Sequence, residues 1–106
     1  MKFKVGDKVI VKSIEEIKKL PHHQICNEGE EDEEINGECE DTDKDGNVII
    51  VENAFVKSMF KFCGREFIVE RAINDGNYKL ANAYNWSFIA CWLERARYYV
   101  EFFDEE

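Results

Sequence analysis

The sequence predicts a mainly β (α+β) domain: a small five-stranded barrel, one or two short helices in its connections, and a flexible acidic insertion. Three observations predict it. Short segments rich in β-branched and aromatic residues recur between turn-forming residues. The 106 residues include 2 Trp, 4 Tyr and 8 Phe but one proline, enough apolar mass for a single compact core. Helical periodicity is confined to stretches of about two turns, so helices serve as connections.

Residues 8–12 (KVIVK) read as a strand introduced by the turn at Val5, Gly6 and Asp7. Ser13, Ile14, Glu15 and Glu16 match a capping box, in which the serine hydroxyl and the Glu16 carboxylate satisfy each other's backbone donors. Ile14, Ile17 and Leu20 form one apolar stripe, Lys18 and Lys19 suit the helix C-terminus, and Pro21 ends the segment. Residues 22–46 show no periodicity and few apolar groups, which predicts a structureless stretch. Residues 47–51 (NVIIV) predict a strand. Asn53 then reads as the cap of a second helix, with Phe55, Val56, Met59 and Phe60 on one face and Gly64 at its end. Residues 66–71 alternate as a strand, Asn74, Asp75, Gly76 and Asn77 form a hairpin turn, and residues 77–81 return. Residues 86–89 read as a further strand and residues 92–94 as a tight turn. Residues 98–103 fit a closing strand or a terminal helix equally well.

The whole chain, 1–106, reads as one domain, with residues 27–46 as an acidic mobile insertion and residues 95–106 as a C-terminal extension. The length argues against doubly wound nucleotide-binding enzymes and (β/α) barrels. No apolar run approaches the ~20 residues of a membrane span. The opening segment MKFKVGDKVIV carries charges within its apolar stretch, unlike a signal peptide, so a soluble cytoplasmic protein is expected.

The formal net charge is -9, and it is concentrated. Residues 28–45 hold eleven acids and one base, while the remaining chain carries a net charge of +1. A run of like charge stays solvated, and it also suits a cationic partner. Glu30, Glu31, Asp32, Glu33, Glu34, Glu38 and Glu40 are therefore candidate contacts for a basic protein surface. Direct nucleic-acid binding is disfavoured, because phosphate contacts need clustered Lys and Arg.

The four cysteines, Cys26, Cys39, Cys63 and Cys91, contain no CxxC pair, and reduced thiols are expected. His22, His23 and Cys26 form a local HHxxC cluster that Cys39 could join, which supplies only part of a zinc site. Cys63 and Cys91, among aromatic residues, read as small core hydrophobes.

Several segments resemble the strands of SH3-like barrels. Lys4, Val5, Gly6, Asp7, Lys8 and Val9 resemble the opening VGDxV strand, and residues 62–69 (FCGREFIV) resemble the central GxxFxV strand. Tyr78-Lys79-Leu80, Trp86-Ser87-Phe88 and Trp92-Leu93-Glu94 resemble the later strands. The resemblance is to small SH3-like barrel proteins of bacteria, phages and mobile elements, mostly without an assigned activity. It covers about half the chain and implies a fold and a binding habit rather than a reaction. It also implies a bacterial host cell. A phage-type inhibitor that mimics nucleic acid and occupies a basic channel, as some anti-CRISPR proteins do, fits the acidity. In such a barrel Trp86 and Trp92 either pack in the core or line a peptide groove, and both are kept as candidate partner contacts.

One motif matches in full. Asp41, Asp43, Asp45, Gly46 and Glu52 satisfy the calcium-loop pattern D-x-[DN]-x-[DN]-G-x5-E, with Asn47 offering a backbone carbonyl. The same DKDG tetrapeptide is also a good β-turn, and no entering helix precedes it. Calcium through Asp41, Asp43, Asp45, Asn47 and Glu52 is thus the alternative reading, and otherwise no cofactor is expected.

No nucleophile elbow, P-loop, HExxH or dinucleotide fingerprint is present, and the only histidines, His22 and His23, adjoin the acidic stretch. A non-catalytic protein-interaction module is therefore expected, with an SH3-like peptide-binding domain as a further alternative. Residues 98–103 are apolar enough for an exposed edge strand, which leaves both a monomer and a homodimer open.

Overall fold

A computed structural model of the protein describes residues 1–73 and 75–96. Two antiparallel sheets make up the fold, one of five strands and one of three. β1 (Lys8–Val11) alternates, turning Val9 and Val11 into the core. It is followed by α1 (Ile14–Lys18), which begins with the expected capping box: the Glu16 amide donates to Ser13 Oγ at 3.2 Å, and the Ser13 amide donates to Glu16 Oε1 at 3.2 Å. Ile17 anchors this short helix in the core.

β2 (Gln24–Cys26), β3 (Glu34–Thr42) and β4 (Val48–Val56) form the three-stranded sheet in that order. A 3-10 helix (Lys57–Phe62) leads to β5 (Glu66–Ala72), β6 (Asn77–Leu80) and β7 (Ser87–Ile89). A second 3-10 helix (Ala90–Trp92) precedes β8 (Leu93–Arg95). The five-stranded sheet has the order β7-β6-β5-β1-β8, so the last strand returns to pair with the first.

Aromatic rings fill the space between the sheets. Phe55 of β4 meets Trp92 at a centroid distance of 5.0 Å and Phe88 at 6.3 Å, and Phe62 meets Phe67 at 5.6 Å. Half-buried Asn53 ties the sheets together, its Nδ2 donating to Asn77 Oδ1 at 2.7 Å and to the Ser87 carbonyl at 3.1 Å. Gly76, in the β5–β6 connection at φ +90°, sits where an added Cβ would lie 1.9 Å from Val51 Cγ1, so only glycine admits this approach.

Three expectations are corrected. First, the mainly β class holds, but among the described residues eight strands lie in two sheets, where five strands and a flexible insertion were expected. Second, residues 34–42, expected to be structureless, form β3, which pairs with β4 from Glu34 opposite Val56 to Thr42 opposite Val48. Its alternation is real but disguised, because the inward positions are Ile35, Gly37, Cys39 and Asp41. Third, Asn53 starts no helix: β4 continues through it to Val56, and its amide group is spent on the opposite sheet. The strand alternation that buries Val51 and Phe55 outcompetes the helical stripe. The expected turn before NVIIV is present, with the Gly46 amide donating to the Asp43 carbonyl at 3.0 Å. The expected extension 95–106 begins with Arg95 of β8, and the segment 98–103 lies outside the described residues. Among the described residues, no helix is long and apolar enough to cross a membrane.

Candidate functional site: an acidic strand face beside a thiol pocket

Strand alternation sets the site. On β3 the outward positions are Asn36, Glu38 and Glu40, and on β4 they are Val48, Ile50 and Glu52. Register places Glu38 directly opposite Glu52 and Glu40 opposite Ile50. Like charges directly opposite across a strand pair are destabilising. Among the described residues no ion pair reaches Glu38, Glu40 or Glu52. Two large aliphatic side chains share this face, Val48 at 65% and Ile50 at 56% exposure. The face therefore combines carboxylates that form no ion pair among the described residues with exposed apolar groups.

Beside it lies a pocket of about 340 Å³. Glu38 and Glu40 stand on its exposed side, Leu20, Pro21 and Ile50 supply apolar wall, and His23, Cys39 and Cys91 are its half-buried groups. β2 pairs with β3 only as far as Asn36, and beyond that point β3 packs against His23 at Gly37 and against the second 3-10 helix. The imidazole lies against Gly37, where a Cβ would come 2.1 Å from Nε2. His23 Nδ1 faces the Pro21 carbonyl at 2.9 Å, and Trp92 Nε1–H donates to His23 Nε2 at 2.9 Å. A carbonyl only accepts and an indole N–H only donates, so the proton sits on Nδ1. The Cys91 sulfur is 4.0 Å from the same Nε2.

The thiols are not equivalent. Cys39 and Cys91 line the same pocket, and hydrogen bonding from the Cys91 thiol lowers the Cys39 thiol to about 7. Cys91 keeps its proton, held above the ordinary thiol value by that same bond and by burial. Burial raises Cys63 to about 11, and the Cys26 sulfur accepts from Asn36 Nδ2 at 3.4 Å. Cys63 and Cys91, expected as small core hydrophobes, are half-buried against the core, and Cys91 also lines the pocket with Cys39. The HHxxC cluster is not assembled as a metal site, and among the described residues no group of three or more His, Cys, Asp or Glu could hold a metal ion.

The remaining candidates separate. Glu30, Glu31 and Asp32 are exposed in the turn before β3. Glu34 is half-buried at the start of β3, and Trp86 is half-buried before β7. Glu33 is buried: Oε1 accepts from the Gly29 amide at 2.9 Å and Oε2 faces Lys18 Nζ at 3.3 Å. That backbone hydrogen bond and the Lys18 charge hold its carboxyl below the usual value, and they make Glu33 a structural tie rather than a contact surface. Trp92 is fully buried and supports His23 from behind, so it presents no face to a partner.

The residues of the calcium pattern are not brought together. Asp41 is buried on the inward face, accepting from Tyr78 Oη at 2.6 Å and from the Lys2 amide at 2.9 Å. Glu52 stands on the outward face of β4. Asp43 accepts from the Asp45 and Asn47 amides, each at 2.9 Å, which closes the turn from within. No protein family, curated protein or solved structure matches the chain.

Proposed function

We propose that the protein is a non-catalytic protein-interaction module whose β3–β4 face engages a basic protein surface. The observation that carries this reading is the opposition of Glu38 and Glu52, with Glu40 beside them and no ion pair to any of the three among the described residues. A fold tolerates such a repulsive pair at a cost, and a cationic partner relieves it. Carboxylates two residues apart on a strand repeat every ~6.8 Å, and Val48 and Ile50 supply apolar contact between the charged rows. The partner class that offers rows of Lys and Arg is the phosphate-binding surface of a nucleic-acid-binding protein. Occupation of such a surface would make the protein a nucleic-acid mimic and an inhibitor, in the manner expected of phage or mobile-element proteins.

The strand order supports an SH3-like core. Five strands in the order β7-β6-β5-β1-β8, with a 3-10 helix just before the returning strand, follow that layout, and β2, β3 and β4 are then an insertion between its first two strands. The insertion carries the contact face, as loops and insertions on a stable scaffold commonly do.

The test uses an arginine-rich synthetic peptide as the basic probe, titrated at low and high salt. The unaltered chain should bind with an affinity that falls steeply with salt, and joint replacement of Glu38, Glu40 and Glu52 by Gln should weaken binding about tenfold or more. Equal affinity of the two proteins would remove the β3–β4 face as the contact.

A further inference from the structure

We propose that Cys39 and Cys91 form a reversible disulfide site, joined by peroxide-class oxidants, which ties β3 to the 3-10 helix that leads into β8. This inference is independent of the acidic-face reading. The two thiols line one pocket of about 340 Å³, large enough to admit a small peroxide, and β3 packs against the 3-10 helix that carries Cys91. They belong to different sheets' worth of structure and are 52 positions apart in the chain, so their proximity is a product of the fold. The other two thiols lack this arrangement: Cys26 accepts a hydrogen bond from Asn36, and burial keeps Cys63 protonated up to about 11.

Roles follow from the surroundings. Hydrogen bonding from Cys91 lowers the Cys39 thiol, which favours its thiolate, the form that attacks. His23 does not take the Cys91 proton in this arrangement, since Trp92 already donates to its Nε2. Cys91 is thus the resolving thiol. The Cys39 sulfur attacks one peroxide oxygen, the O–O bond breaks, and water leaves after protonation, giving a sulfenic acid. The Cys91 sulfur then attacks the Cys39 sulfur; the S–S bond forms, the S–O bond breaks, and the hydroxide leaves as water with the Cys91 proton. Two thiols and one hydrogen peroxide give one disulfide and two waters.

The test is made on the reduced, full chain with stoichiometric hydrogen peroxide. Peptide mapping should find Cys39 linked to Cys91, with the mass lowered by two hydrogens and the change reversed by dithiothreitol. Closing so long a loop should raise the melting temperature by roughly 10 °C. Cys91→Ser should stop at a Cys39 sulfenic acid that dimedone captures, and Cys39→Ser should abolish both products. A link that contains Cys26 or Cys63, or Cys39 oxidised to sulfinic acid in the unaltered chain without a link, would overturn the proposal. The map of the unaltered chain decides the matter even if a serine variant fails to fold.

Discussion

At the scale of single residues, the pocket depends on an absent side chain. Gly37 lets the His23 imidazole lie directly on the β3 backbone, and that position puts Nε2 within 2.9 Å of the fully buried Trp92 indole nitrogen. Gly37→Ala would place a carbon 2.1 Å from Nε2, so the ring must move. The Trp92 N–H then loses its acceptor in a buried site, which costs about 1–3 kcal/mol. The variant should melt lower and show altered tryptophan fluorescence, and unchanged melting would mean that the ring is held by contacts other than this one. Some of this was legible in the sequence. The Ser13–Glu16 capping box was, because both partners lie within four residues and the motif is purely local. The pairing of Cys39 with Cys91 was not, since spacing along the chain carries no trace of a contact between β3 and a distant 3-10 helix. The shared roles of Trp92 and His23 were hidden for the same reason.

At the scale of elements, β3 and β4 illustrate how composition can mask periodicity. Eleven acids in residues 28–45 suggest a solvated run, yet every second position from Ile35 to Asp41 points inward, and Gly37 and Asp41 stand where apolar residues would announce a strand. Asp41 is admitted because the Tyr78 hydroxyl and the Lys2 amide satisfy its oxygens. The calcium pattern matched in letters because it records residue types and spacing; a β-hairpin sends positions 41 and 52 to opposite faces, and pattern matching is blind to that. On the outward face, the repulsion between Glu38 and Glu52 is measurable without any partner. Glu52→Gln should stabilise the isolated chain by about 0.2–1 kcal/mol, seen as a small rise in the denaturant midpoint. The same variant should bind the basic peptide less well. A site that gains stability when it loses function is the signature of a surface kept for binding. A destabilised Glu52→Gln protein would instead assign Glu52 a role within the fold.

At the scale of the whole molecule, β1, β5, β6 and β7 of the larger sheet were legible as short strand segments, and the hairpin of β5 and β6 followed from its turn residues, while β8 falls where a tight turn was expected. The second sheet was legible only at the start of β4, in NVIIV, because β2 and β3 lie in the stretch 22–46 that shows no apolar periodicity and their pairing is set by tertiary packing. The two sheets meet where Tyr78 of β6 bonds Asp41 of β3, and this junction titrates. Burial and the Asp41 carboxylate raise Tyr78 from 10.0 to about 12. A pKa raised on folding gives stability that is full below the unfolded value and is lost as pH climbs toward the folded one. Melting temperature should therefore fall between pH 10 and about 12. The carboxyls shift the other way: the Lys4 amide and Arg95 lower Asp7, the Gly29 amide and Lys18 lower Glu33, and the Asn47 and Asp45 amides lower Asp43. Their contribution is present above the ordinary values of 3.8 and 4.5 and is lost as pH falls below them. Melting followed from pH 2 to 12 should thus show a plateau flanked by two declines. Tyr78→Phe should lower the plateau, because Asp41 loses a donor, and should flatten the alkaline decline while leaving the acid one in place. An alkaline decline of equal depth in Tyr78→Phe would remove the junction between the sheets as its origin.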